Sequence, residues 1–111
     1  MSQSKELVAA SATPMILAIV SRGETYGYAI IREIREVSDT QIEWTDGMLY
    51  PVLRRLEKQG LLIAEWTTDE ARPRKYYRAS ESGTQALAML AGEWQRLSES
   101  LKTLLEERDP A

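Results

Sequence analysis

Residues Thr45–Leu62 read TDGMLYPVLRRLEKQGLL, and this stretch narrows the choice of fold more than any other part of the chain. Leu49, Val52, Leu53 and Leu56 recur at helical spacing and belong on one buried face. The opposite face carries Gly47, Met48, Tyr50, Pro51, Arg54, Arg55 and Lys58. Thr45 is placed to cap this helix, with Asp46 in its electropositive first turn. Pro51 is tolerated because its ring presses toward the residue four positions back, which is Gly47, in turns where few backbone bonds are made. Gly60 closes the helix as its C-terminal cap. A few residues later, RPRKYYR at Arg72–Arg78 reads as a basic strand. Such a chain must bury a leucine face against other elements while keeping a short basic-aromatic face open beside a basic hairpin.

Composition excludes more than it specifies. At 111 residues, with 43% apolar and 28% charged residues, the chain is one ordinary globular domain. It has no cysteine and no histidine, so disulfides, thiol chemistry, Ser-His-Asp or Cys-His nucleophiles and ordinary zinc sites are all out of reach. Its carboxylates are interspersed with Lys and Arg, as on solvated faces. An enzyme is not expected, nor a metal or a cofactor. No apolar run, Met15–Val20 included, approaches the roughly 18–20 residues of a membrane span. The N-terminus lacks the basic region, apolar stretch and cleavage site of a secretory leader, and a cytoplasmic location is expected.

The net charge of −3 hides an uneven distribution. Residues 46–79 hold seven basic against five acidic side chains, whereas residues 1–45 hold four against six and residues 80–111 three against six. Only the middle third is positive, and the local field governs contact with phosphate.

Along the chain, a first helix is expected over Lys5–Ser21, buried on several sides in its second half, with Pro14 either kinking it or marking the start of its main part. Thr25 is a plausible cap for a second helix to about Val37, with Ile30, Ile34 and Val37 on one face. Ser38–Glu43 is a polar connection. Leu61–Thr67 and Lys75–Ala79 read as strands joined by a Thr68–Arg74 loop. Ser80 and Ser82 are candidate caps of a last helix running to about Glu107, Ser82 with Gln85 at capping-box spacing. The order α-α-α-β-β-α, mainly helical with a small β-hairpin, is a winged helix-turn-helix with an added C-terminal helix. Residues 1–79 form the DNA-binding part and residues 80–111 a dimerisation helix, within one compact unit.

Three motifs carry a family likeness: YGYAI at Tyr26–Ile30, DGMLYPVLRRLEKQGLL at Asp46–Leu62 and RKYYRASESG at Arg74–Gly83. In this order they resemble the PadR family of bacterial and phage transcriptional regulators, and the single final helix resembles its compact subgroup. The resemblance implies a dimeric DNA-binding regulator of double-stranded DNA. It also implies that Tyr26 and Tyr28 approach the DNA backbone, although a packing role fits them equally. Met48 stands where the family often has threonine, so a hydroxyl contact is lost there.

The residues suggest how such a protein reads DNA. Tyr50, Arg54 and Lys58 share one face at four-residue spacing, with Gly47 and Pro51 thinning the leading end for a major groove. An arginine bonds a guanine edge or a phosphate, and Lys58 suits the backbone. Arg72, Arg74 and Lys75 put positive charge at the wing, opposed by Asp69 and Glu70 in the same loop.

The last helix carries a second pattern. Leu87, Leu90, Trp94, Leu97, Leu101 and Leu104 are spaced 3, 4, 3, 4 and 3 residues apart, an unbroken heptad seam. It has more apolar surface than one contact with the first helix would cover, so a twofold homodimer with exchanged final helices is expected. Two recognition helices about 34 Å apart would then read a palindromic operator. Trp94 either fills that dimer core or, as in subgroup members that sense flat aromatic drugs, stacks on a planar ligand beside Met15 and Met89. The expectation is a dimeric repressor, released by such a ligand or blind to ligands. A winged-helix protein-interaction module without DNA binding is the remaining alternative, permitted by the acidic total.

Overall fold

The computed structural model describes residues 5–67 and 72–106. They form α1 (Lys5–Ser21), β1 (Thr25–Tyr26), α2 (Gly27–Val37), α3 (Asp46–Lys58), β2 (Leu62–Trp66), β3 (Lys75–Ala79) and α4 (Glu81–Glu106). The expected Asp69 and Glu70 of the wing loop and Glu107 at the end of the last helix lie outside the described residues.

The winged helix-turn-helix is formed, and its core lies where the apolar spacing put it. Ile16, Leu17 and Val20 of α1 meet Ile30 and Ile34 of α2 and Leu49, Leu53 and Leu56 of α3, all essentially without solvent exposure. Leu62 and Tyr77 close the core from the sheet, while Val52 packs at its edge, only partly buried. α1 runs through Pro14 without a break in the helix, so Pro14 is not where that helix starts.

Three expectations need correction. Thr25 does not cap α2: Thr25 and Tyr26 form a short strand paired with Tyr77 and Tyr76, giving a three-stranded antiparallel sheet in the order β1-β3-β2. A two-residue strand has no alternation to read, because its conformation comes from a neighbour distant in sequence. Val37 is 71% exposed. It shares the face of Ile30 and Ile34 but is the last residue of its helix, and periodicity gives a direction without saying how far the neighbours extend. Thr45 precedes α3 and its carbonyl accepts from the Met48 and Leu49 N–H groups, both at 3.0 Å, but its side chain makes no capping bond.

The end of α3 and the start of α4 interlock. Gly60, at φ 78°, follows the helix in a Schellman motif: Leu61 N–H donates to the Leu56 carbonyl at 2.9 Å and Gly60 N–H to Glu57 at 3.0 Å. Ser80, rather than Ser82, caps α4, its hydroxyl oxygen accepting from Gly83 N–H at 3.0 Å. The same hydroxyl donates to the Gly60 carbonyl at 2.5 Å, and Ser80 N–H donates to the Leu61 carbonyl at 3.1 Å. Gly83 is buried so tightly against Leu61 that a Cβ would overlap its carbonyl oxygen.

Tyr77 is buried where β3 meets α3. Burial first, then the nearby Tyr50 and Glu57, push its phenol above the ordinary 10.0, with Arg54 pulling the other way. The folded chain therefore holds this proton past the pH at which the unfolded chain releases it. The associated stability is present below about pH 10 and declines as pH rises further. In unfolding experiments at alkaline pH, Tyr77→Phe should flatten the decline in stability. An unchanged decline in that variant would contradict this.

Gly83→Ala should cost about 1–3 kcal/mol in urea unfolding, because backbone is what the added methyl meets. Ser80→Ala should cost about 1 kcal/mol or more through the lost cap, and Ser82→Ala close to nothing.

Candidate nucleic-acid interface

Burial of Leu49, Leu53 and Leu56 turns the other side of α3 outward, and Gly47, Met48, Tyr50, Pro51, Arg54, Arg55 and Lys58 are all exposed. Beside it stands the β2–β3 hairpin, with Trp66 opposite Lys75 at its outer end. One further pair closes the ladder: Thr67 N–H donates to the Arg74 carbonyl at 2.9 Å and Arg74 N–H to the Thr67 hydroxyl at 3.3 Å. Between hairpin, α3 and the first turn of α2 lies a cleft of about 720 Å³.

Seven of the twelve expected DNA contacts converge on this cleft: Tyr26, Tyr28, Tyr50, Arg54, Arg72, Arg74 and Lys75. Among the described residues its lining holds four cations against one carboxylate, Glu57, and their combined field is positive although the chain is acidic. The first turn of α2 adds to it, since its N-cap residue Tyr26 makes no side-chain capping bond and Gly27 and Tyr28 line the cleft.

The aromatic residues hold the cations in place. The Arg74 guanidinium lies 4.2 Å above the Tyr26 ring, which meets the Tyr76 ring edge-on at 5.6 Å. Arg32 lies over the exposed Tyr28 ring at 5.5 Å. Tyr50 lies directly against Gly27, where any Cβ would overlap its hydroxyl, so α3 and the start of α2 approach through a missing side chain.

Some expected contacts are engaged within the chain or lie outside the cleft. Lys75 pairs with Glu57 at 3.3 Å and is only partly exposed, which reduces the charge it offers to a phosphate. Arg55 donates from Nη2 to the Thr13 hydroxyl at 2.8 Å, tying α3 to α1. With Met48 it lines a different, apolar groove on the far flank of α3. Gly47, Pro51 and Lys58 stay on the exposed face but outside the cleft.

Gly27, Trp66 and Pro73 line the cleft without having been singled out as contacts. The sequence signals were local and weak: a glycine between two tyrosines at a helix start, and a tryptophan near the end of a strand.

The heptad seam divides in two. Leu87 and Leu90 pack, partly buried, against the core of their own chain, which uses that part of the seam internally. Leu97, Leu101 and Leu104, with Leu105, are exposed. Trp94, half-buried, stands at the change. Met15 is partly buried against the core and Met89 is exposed, and neither lines the cleft or the groove. Among the described residues no helix is long and apolar enough to cross a membrane.

Comparison with known proteins agrees with this geometry. The profile of the transcriptional regulator PadR-like family matches residues 16–89, from the core of α1 into α4. An uncharacterised protein of Lysinibacillus sphaericus is 30% identical over 93 residues, covering 83% of this chain and 85% of its own. The crystal structure of a PadR family transcriptional regulator from Eggerthella lenta superposes with a TM-score of 0.80 at 35% identity, over 93% of this chain and 88% of the other. A transcriptional regulator from Clostridium thermocellum reaches a TM-score of 0.83 at 26% identity, over 91% and 96% of the two chains. The chain belongs to the PadR-like family of transcriptional regulators, winged-helix DNA-binding proteins and not enzymes.

Proposed function

We propose that this chain is a cytoplasmic, homodimeric repressor that reads a palindromic operator with α3 in the major groove and the wing on the adjoining backbone. The observation that carries this reading is the cleft where Arg54, Arg72 and Arg74 meet beside the exposed face of α3. Arg54 and Lys58 take the central part, one at a base edge or phosphate and the other on the backbone. Lys75 and Arg55, engaged by Glu57 and Thr13, serve mainly to hold the wing and α1 against α3. The same positive cleft favours DNA over a purely protein-binding role.

The second copy covers Leu97, Leu101, Leu104 and Leu105, an apolar strip too long to stand free in water on one chain. Trp94 lies where that strip begins. A planar aromatic molecule stacked between two such indoles releases DNA only if it binds the two arrangements of the dimer unequally. A ligand-blind repressor would keep the same dimer with Trp94 as filler.

Arg54→Ala with Lys58→Ala should weaken operator binding by about 10-fold or more and lower the slope of log affinity against log salt, since each lost phosphate contact removes roughly one unit. Fluorescence anisotropy on a duplex selected from random DNA measures both, and unchanged affinity would remove α3 from the mechanism. Leu97→Glu with Leu101→Glu should yield a folded monomer in sedimentation equilibrium with much reduced operator affinity. A dimer that persists would place the interface elsewhere.

A further inference from the structure

The flank of α3 that carries Met48 and Arg55 faces away from the cleft, onto a groove of about 680 Å³ between α1, the α2–α3 connection and α3. Val8, Ala12, Ile42, Trp44, Met48 and Val52 supply its apolar walls. This size and lining are those of sites for small molecules. We propose that the groove binds a small, largely apolar molecule carrying a hydrogen-bond-accepting oxygen, held by the Trp44 indole N–H.

Trp44 provides the specificity. It is only 6% exposed, and its Nε1–H, sealed from solvent, has no hydrogen-bond acceptor among the described residues. A buried indole N–H ordinarily has a partner, because a donor stripped of water and left alone is costly. An oxygen brought in by a ligand satisfies it in surroundings where water does not compete. The contact requires a small shift of the groove wall. Met48, exposed and unbranched, is the lining residue best suited to give way.

A second copy of the chain is the competing occupant, and its chemistry fits less well. The open strip of α4 presents Leu97, Leu101, Leu104 and Leu105, and its acceptor side chains, such as Ser98 and Ser100, lie between these leucines rather than among them. Arg55 and Glu43, of opposite charge, both border the groove and favour an uncharged head such as a ketone or ester over an ion. Because Met48 and Val52 belong to α3, a bound molecule touches the reading helix from the side opposite its cleft. That regulatory consequence rests on α3 being the DNA reader; the binding itself does not.

The test uses the full chain and two naphthalenes of similar shape, 2-acetylnaphthalene with a carbonyl and 2-ethylnaphthalene without one. The three indole N–H signals, Trp44, Trp66 and Trp94, are followed in proton–nitrogen correlation spectra and assigned through single Trp→Phe variants. The acetyl compound should move the Trp44 signal and bind about 2–10-fold more tightly than the ethyl compound, the range one hydrogen bond supports. Trp44→Phe should abolish that preference. If this variant fails to fold, the matched pair on the unmodified chain decides alone. Equal affinities, a response confined to Trp94, or a Trp44 signal that moves only on dilution of the protein would overturn the proposal, the last by placing the second copy in the groove. No DNA enters these measurements, so failure of the DNA reading would leave their result intact.

Discussion

The Ser80 hydroxyl holds together the parts of this protein that must stay in register. In one place it caps α4 through Gly83 N–H and donates to the carbonyl of Gly60, the residue that ends α3. The neighbouring Ser80 N–H donates to Leu61, and Gly83 packs directly on the same residue. The two ends of the hairpin, the end of α3 and the start of the long final helix are therefore joined within a few residues. Helix ends carry unsatisfied backbone groups, and here one serine hydroxyl serves such a group at the start of α4 while bonding the carbonyl of the glycine that follows α3. With both ends of the hairpin fixed at this point, the wing's position relative to α3 follows from the sheet register.

From that joint the charge pattern acquires its effect. A chain with net charge −3 would repel a polyanion if its charges were evenly spread. The fold instead gathers Arg54, Arg72, Arg74 and Lys75 around one cleft, beside the open end of α2. Aromatic rings under Arg74 and Lys75 restrain side chains that would otherwise be free to move, which lowers the ordering cost of meeting a phosphate. Glu57 works against this by engaging Lys75, so the arginines carry the larger share of the field.

How much of this was legible follows from whether a residue's partner is near in sequence. The limits of α1 and β3, the buried leucines of α3 and its exposed face could all be read, because period and end signals are local. β1 could not, because Thr25 and Tyr26 become a strand only through Tyr77 and Tyr76, some fifty residues away. Ser82 had the added local signal of Gln85 at capping-box spacing, yet packing against Gly60 and Leu61 puts the cap at Ser80. The bond from Arg55 to Thr13 could not be read, because the two lie forty-two positions apart. The cleft was legible as a set of residues and not as a shape: the tyrosines and arginines were visible, while Gly27's role under Tyr50 required the helices to be brought together.

The final helix shows why an unbroken pattern does not imply a single use. All six seam positions have the same spacing, yet Leu87 and Leu90 belong to the core of their own chain and Leu97, Leu101 and Leu104 face solvent. The difference comes from length. α4 spans 26 residues, and α1 and the sheet are too short to cover more than its first turns. Its buried portion fixes the helix direction through the Ser80–Leu61 joint, and the open portion extends that direction away from the body. A small tilt at the joint is thereby magnified at Leu101 and Leu104, where a second copy would bind. Conversely, a change in how two such ends pack would return through the same joint to the end of α3. In the proposed dimer, Gly60, Leu61, Ser80 and Gly83 connect the paired ends of α4 to the end of α3.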